Sequence, residues 1–288
     1  MNSEYSVIEL CEALGVSPSG YFAARSRRPS LRSRSNHRLL TEMTSIHEHR
    51  HTRCYGSPRM TRQLQALGLP CSENRVARLM RQAGLRARPR RPYHPRTTRP
   101  DHAAHPSPNR LAKAPVAQSP GTHLVSDITY VPTKEGWLYL AVVMDLFSRR
   151  ILGWKLAESL HTPLVTAALR KAMNSGLVQH NALFHSDRGC QYSASSCREF
   201  LTHHRLIQSM SAAGYCYDNA FAESVFASLK SELLDDGLPF ESKREAATTI
   251  FDYIECFYNR RRLHSSLGYR SPDDFLRQHF QNLNPTLN

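Results

Sequence analysis

The spacing of apolar positions changes character near residue 121. Ahead of it they recur at helical intervals. Val7, Leu10, Cys11 and Leu14 form one stripe that Gly15 stops, and Ser17-Pro18 caps and opens the next short helix, with Tyr21 and Phe22 able to pack back. Residues 58–67 predict another short helix; Gly68-Leu69-Pro70 breaks it, Ser72 caps its successor and Gly84 ends it. On that successor Val76, Leu79, Met80 and Ala83 fall at i, i+3, i+4 and i+7, while Arg75, Arg78, Arg81 and Gln82 take the other side. Both pairs follow helix–turn–helix grammar, in which the second helix meets DNA.

Beyond residue 121 the apolar positions are β-branched, aromatic and contiguous. Runs at 123–131, 137–147 and 150–156, separated by turn signals, predict three consecutive strands. Residues 162–175 then read as a helix, 182–186 as a short buried strand, 193–204 as a helix and 206–210 as a strand, with further helices at 219–234 and 243–257. A meander followed by alternating helix and strand gives an α/β fold, a mixed sheet with flanking helices behind small all-α modules. Residues 86–122 carry Pro89, Pro92, Pro95, Pro100, Pro106, Pro108, Pro115 and Pro120 with almost no apolar periodicity, the pattern of a semi-rigid extended linker. The expected division is a helix–turn–helix-like segment at 1–30, a helix–turn–helix DNA-binding domain at 36–88 and a Pro/Arg-rich linker at 89–120. An α/β core at 121–235 and a C-terminal helical extension at 236–288 complete it.

Charge sharpens this division. The net charge is +14, and residues 1–118 hold 21 Lys+Arg against 7 Asp+Glu, so the rest of the chain is balanced. Twenty of those 21 cations are arginine, whose planar fork suits phosphate oxygens and guanine edges. The front end therefore reads as a polyanion-binding region. No apolar stretch approaches the ~20 residues of a membrane span. Seven cysteines with no C-x-x-C pair indicate neither a disulfide framework nor a zinc ribbon, which points to a reducing cytoplasm.

Three carboxylates stand out. Asp127 lies inside the run Leu124-Val125-Ser126-Asp127-Ile128, and Asp187 ends Leu183-Phe184-His185-Ser186; a carboxylate in a strand is costly unless neutralised. Glu223 shares a helical face with Lys230, seven residues on, away from the apolar arc of Phe226, Leu229 and Leu233. Oxygen ligands from two strands and a helix suit Mg²⁺, and a pair of such ions can clamp both oxygens of an in-line phosphoryl transfer. Singly, each acid also has a structural reading: Asp127 as an arginine partner, Asp187 as a turn former, Glu223 as a solvated helix residue. Asp145, just before Ser148-Arg149-Arg150, is read as structural, paired with arginine or closing a turn. His47, His49, His51 and Cys54 crowd together without the tight cysteine pair of a zinc site, so surface or phosphate-facing histidines are expected.

Thirty-five residues separate Asp187 from Glu223, with Lys230 seven beyond. This resembles the D,D-35-E signature of DDE transposases and retroviral integrases. The words Ser126-Asp127-Ile128-Thr129-Tyr130, Met144-Asp145-Leu146-Phe147-Ser148-Arg149, His185-Ser186-Asp187-Arg188-Gly189-Cys190-Gln191-Tyr192, Tyr217-Asp218-Asn219-Ala220 and Leu229-Lys230-Ser231-Glu232 are similar to the second-frame catalytic protein of the insertion-sequence-three family. So is the tail Tyr258-Asn259-Arg260-Arg261-Arg262-Leu263-His264. Departures are Cys190 where Ser is usual and Ala212-Ala213 after Ser-Met-Ser.

The resemblance implies an RNase H-like core with Asp127, Asp187 and Glu223 as catalytic and metal-binding triad. Mg²⁺ would be the cofactor, with Mn²⁺ as a substitute. It implies cleavage at element ends and strand transfer by the freed 3′-hydroxyl. DNA contacts are expected from Lys230, Arg75, Arg78 and Arg81, and from Arg262 and His264 in the tail. Implied partners are double-stranded DNA, as terminal repeats and target, further copies of the chain on that DNA, and an upstream-frame protein or fusion. The setting is the bacterial cytoplasm, on the nucleoid. The alternative is a DNA-binding regulator, or a subunit inactive alone, built on an integrase-like core.

Overall fold

The computed structural model describes residues 5–87, 106–211, 220–233 and 238–283, with backbone alone for residues 220–225. Both expected helix pairs form. α1 (Val7–Ala13) starts in a Ser6–Glu9 capping box and Ser17 caps α2 (Pro18–Ser26), although Cys11 is the one residue of the pair that is buried. α4 (Ser57–Ala66) and α5 (Glu73–Gln82) form the second pair, and the Ser72 hydroxyl accepts from Arg75 N as the cap of α5. They pack on α3 (Leu31–Glu48), a long helix that the apolar pattern does not announce. Only Leu39 and Met43 of its eighteen residues are buried, against Met60, Leu64, Leu69, Val76, Leu79 and Met80.

The sheet has the order β3-β2-β1-β4-β5, formed by β1 (His123–Thr133), β2 (Gly136–Asp145), β3 (Ile151–Ala157), β4 (Leu183–Ser186) and β5 (Ile207–Met210). β1–β2 and β2–β3 pair antiparallel; β1–β4 and β4–β5 pair parallel. This is the mixed α/β, RNase H-like arrangement. Side-chain alternation builds a core on each face. Leu124, Ala141 and Val143 face α6 (Thr162–Asn174) and α8 (Ser195–His203). Val125, Val142 and Met144 face α9 (Ala220–Leu233), α10 (Lys243–Phe251) and the π-helical turn Asp252–Tyr258. α6 lies so close to β3 that a Cβ on Gly153 would come within 2.2 Å of Ala168 O, so glycine is required there.

Two helices differ from expectation. The 193–204 helix is α8, and a separate short helix α7 (Cys190–Ser193) precedes it, parted from it by Ala194, which is extended at φ −58°, ψ 143°. The 243–257 helix leaves α geometry at Asp252, and the wider π turn buries Tyr253, Ile254, Phe257 and Tyr258 while Asp252 stays at the surface. α11 (Pro272–Leu283) closes the described chain. Of the linker, residues 88–105 lie outside the described set. Its end docks on the sheet edge, where Arg110 N and Leu111 N donate to Ser209 Oγ at 2.9 and 3.2 Å. Residues 212–219, which include Ala212-Ala213 and Asp218, also lie outside it. Among the described residues no helix is long and apolar enough to cross a membrane.

Candidate active site

β1 and β4 run side by side and parallel in the register His123↔Leu183, Leu124↔Phe184, Val125↔His185. Asp127 and Asp187 each lie two residues past the last of these pairs, so the register delivers two carboxylates to the same level of the sheet, where β4 ends beside the interior of β1 and neighbouring strands lie about 4.8 Å apart. A backbone donor orients each: Ile128 N gives to Asp127 Oδ1 at 2.7 Å and Gly189 N to Asp187 Oδ1 at 3.0 Å. Both remain half-buried. Their convergence is felt by Tyr192, whose buried phenol shares a 2.9 Å hydrogen bond with Ser126. Burial first, then the charges of Asp127 and Asp187, push its pKa well above the ordinary value.

α9 crosses β1 and buries Phe226, Leu229 and Leu233. Lys230 on this helix is half-buried, and burial lowers its pKa to about 8, opposed by the charge of Asp127. Glu223 lies on α9 two turns before Lys230; its side chain is outside those described. Asp145 is structural, as expected of a turn former: it is buried and accepts from Gly121 N, Ser148 N and Ser148 Oγ at 3.0, 2.9 and 2.5 Å.

The expected DNA-contact residues divide. Arg78 and Arg81 are exposed on α5. Arg75 is spent on packing: its guanidinium donates to Asn36 Oδ1 at 2.9 and 2.8 Å and to Ser35 Oγ at 2.8 Å, tying α5 to α3. The assignment of Arg262 and His264 to DNA is corrected, because both are buried. Arg262 donates to Glu232 Oε1 and Oε2 of α9 at 2.6–3.1 Å, Tyr253 OH donates to the same carboxylate at 2.7 Å, and Arg59 of α4 stands 3.9 Å from it. Burial alone would raise the Glu232 pKa, but Arg262 and these hydrogen bonds hold it below the usual range. A sequence pattern could not signal this, since an arginine in an Arg-Arg-Arg run looks solvated.

His264 sits beside Arg262 with its pKa pushed down to about 2, by burial and then by Arg262, Arg59 and Arg149. An imidazole in the unfolded chain titrates near pH 6.5. Below that pH the unfolded state takes up a proton that the folded state refuses, so this stability is complete above about pH 6.5 and is lost at about 1.4 kcal/mol per pH unit below it. Thermal melts between about pH 7.5 and about pH 5 should fall more steeply for the wild type than for His264→Gln. Parallel slopes would contradict a neutral buried His264.

Three side chains of the histidine cluster have partners inside the protein. His51 is buried with Nε2 2.7 Å from Asp252 Oδ2, His47 Nε2 meets Arg86 O, and Cys54 Sγ donates to His51 O. Among the described residues no three His, Cys, Asp or Glu side chains gather to hold a metal.

A basic helix–turn–helix ahead of a sheet that pairs two carboxylates defines the chain as a DNA-binding polynucleotidyl transferase with an integrase-type core. Family models agree with that division: an HTH-like domain matches residues 34–93, and two models described as Integrase core domain match 117–216 and 204–272. The transposase InsF of insertion sequence IS3A from Escherichia coli K12 is 39% identical over 274 residues, 95% of this chain and 94% of its own length. A 31 kDa protein of insertion element IS600 from Shigella sonnei is 37% identical over 272 residues, 94% of this chain and 99% of its own. Among solved structures, the HTLV-2 integrase catalytic core in complex with magnesium superposes with a TM-score of 0.42 at 14% identity, covering 55% of this chain and 98% of that one. The chain belongs to the IS3 family of transposases.

Proposed function

We propose that this transposase cuts the ends of its element and joins them to target DNA with Asp127, Asp187 and Glu223 as the acids that hold divalent metal, Mg²⁺ or in its place Mn²⁺. The observation that carries the reading is the parallel register that sets Asp127 beside Asp187. The donor set fits the ion: oxygen-only, from adjacent strands, with Glu223 on the helix that packs across them. Bound there, the metal would supply a Lewis acid for the attacking and leaving oxygens of phosphoryl transfer. Ile128 N and Gly189 N fix the two carboxylates in place, so little reorganisation is needed when substrate arrives. Lys230, held near Asp127 in partial burial, is suited to a DNA phosphate beside the scissile one, and Arg78 and Arg81 on α5 to the terminal-repeat duplex.

The division of labour follows the modules: duplex recognition by 36–88, chemistry by 121–235, and support from 236–288. Synapsis of two ends calls for more than one copy on the DNA, in a bacterial cytoplasm with the nucleoid as the working surface; an upstream-frame partner would add a further DNA-binding module. The test is a joining assay with an end-containing duplex. Strand transfer should need Mg²⁺, stop with EDTA and return with Mg²⁺ or Mn²⁺. Joining at full rate in EDTA would contradict the reading.

A further inference from the structure

The loop between α3 and α4 is where the DNA-binding module meets the core. His51 is inserted there, hydrogen-bonded to Asp252, stacked on Phe257 with ring centroids 4.9 Å apart and edge-on to Tyr253 at 5.6 Å. Beside this contact lies a cavity of about 170 Å³, lined by His49, Arg50, His51, Asp252, Phe257 and Arg261 together with Cys256. Arg50 comes from the DNA-binding module and Arg261 from the core. Both are exposed, and neither side chain makes a hydrogen bond or ion pair among the described residues. Asp252, the acid in the lining, is already engaged: the His51 hydrogen bond first, with smaller contributions from the charge of His51, a Cys256 hydrogen bond and the charge of Arg50, holds its carboxyl below the usual range against the opposing effect of burial. The site therefore presents two exposed guanidinium forks, Arg50 close enough to Asp252 for its charge to be felt there, around a cavity that greatly exceeds the ~10–15 Å³ one water needs.

We propose that Arg50 and Arg261 close on a single backbone phosphate of the bound duplex, forming a clamp that spans module and core. The clamp rests on the DNA-binding reading above and adds a contact outside α5 and outside the carboxylate site. Arginine forks match phosphate oxygens with paired hydrogen bonds, and the two partners here arrive from opposite sides of a seam. DNA held this way would also fix the orientation of the recognition helix relative to the sheet that carries Asp127 and Asp187.

Duplex binding by the full chain, titrated at several salt concentrations, tests the clamp, with wild type, Arg50→Ala, Arg261→Ala, the double variant and the exposed Arg244→Ala as control. Each neutralised phosphate contributes about 0.9 to the slope of log affinity against log salt. The double variant should lose about 0.9 of slope, the singles no more than that, and Arg244→Ala essentially none. An unchanged slope in the double variant overturns the clamp. So does a loss of about 1.8, which would mean two separate phosphates, or an equal loss in Arg244→Ala, which would mean a general charge effect. If the wild type shows no salt-dependent binding, the DNA-binding reading itself fails and the clamp with it; wild-type binding with a failed clamp leaves that reading intact. All three substituted positions are exposed, so melting temperatures near wild type should accompany the slopes.

Discussion

Asp127→Asn, Asp187→Asn and Glu223→Gln should each cut strand transfer at least about a thousandfold, the effect of removing roughly 4 kcal/mol of metal-borne charge stabilisation from the transition state. Each substitution keeps side-chain volume and leaves the basic surface of α5 untouched, so duplex binding should stay within about twofold of wild type. The amide variants can still accept from Ile128 N or Gly189 N, which keeps the local backbone in place. Asp145→Asn is the control: its three donors from Gly121 and Ser148 tie it to the turn, so it should lower melting temperature without changing the metal requirement. Wild-type joining by any of the three triad variants would remove that residue from the proposed site.

Arg262→Ala should be the most destabilising single change in the extension behind the core. It leaves Glu232 buried on α9 without its bidentate partner, and an uncompensated buried charge costs about 3–5 kcal/mol. For a chain of this size that corresponds to a fall of roughly 6–20 °C in Tm. The paired variant Glu232→Leu with Arg262→Met should be more stable than either single change, because both charges leave the interior together. Calorimetry of these variants checks this, and a paired variant no better than Arg262→Ala would contradict the ion-pair account. The same network touches Arg59 of α4, so losses here also loosen the docking of the DNA-binding module.

How much of this was legible in the sequence depends on how each residue is used. β1, β2 and β3 were readable because long β-branched and aromatic runs are broken by turns, and both cores then follow from alternation along them. α3 was not, since two buried residues in eighteen leave almost no periodic signal. The carboxylates were legible as misfits, acids inside or at the end of apolar strands, and the parallel register explains why Asp127 and Asp187 meet. Arg262 and His264 misled because charge in sequence says nothing of depth: the run from Arg260 to Arg262 places two arginines in solvent and one in a buried pair. His51, expected at the surface or facing a phosphate, is likewise buried; its partners Asp252 and Phe257 lie some two hundred residues away. The approach of Lys230 to Asp127 depends on how α9 crosses β1, which no local pattern encodes.

The most direct measurement of the central claim is divalent-metal binding itself, by titrating Mn²⁺ into the complex of chain and end duplex for wild type and the three triad variants. Wild type should show saturable uptake, and each of Asp127→Asn, Asp187→Asn and Glu223→Gln should weaken it by more than about tenfold, as expected for loss of a direct oxygen ligand. Identical Mn²⁺ affinity in wild type and all three variants would show that these acids do not hold the metal.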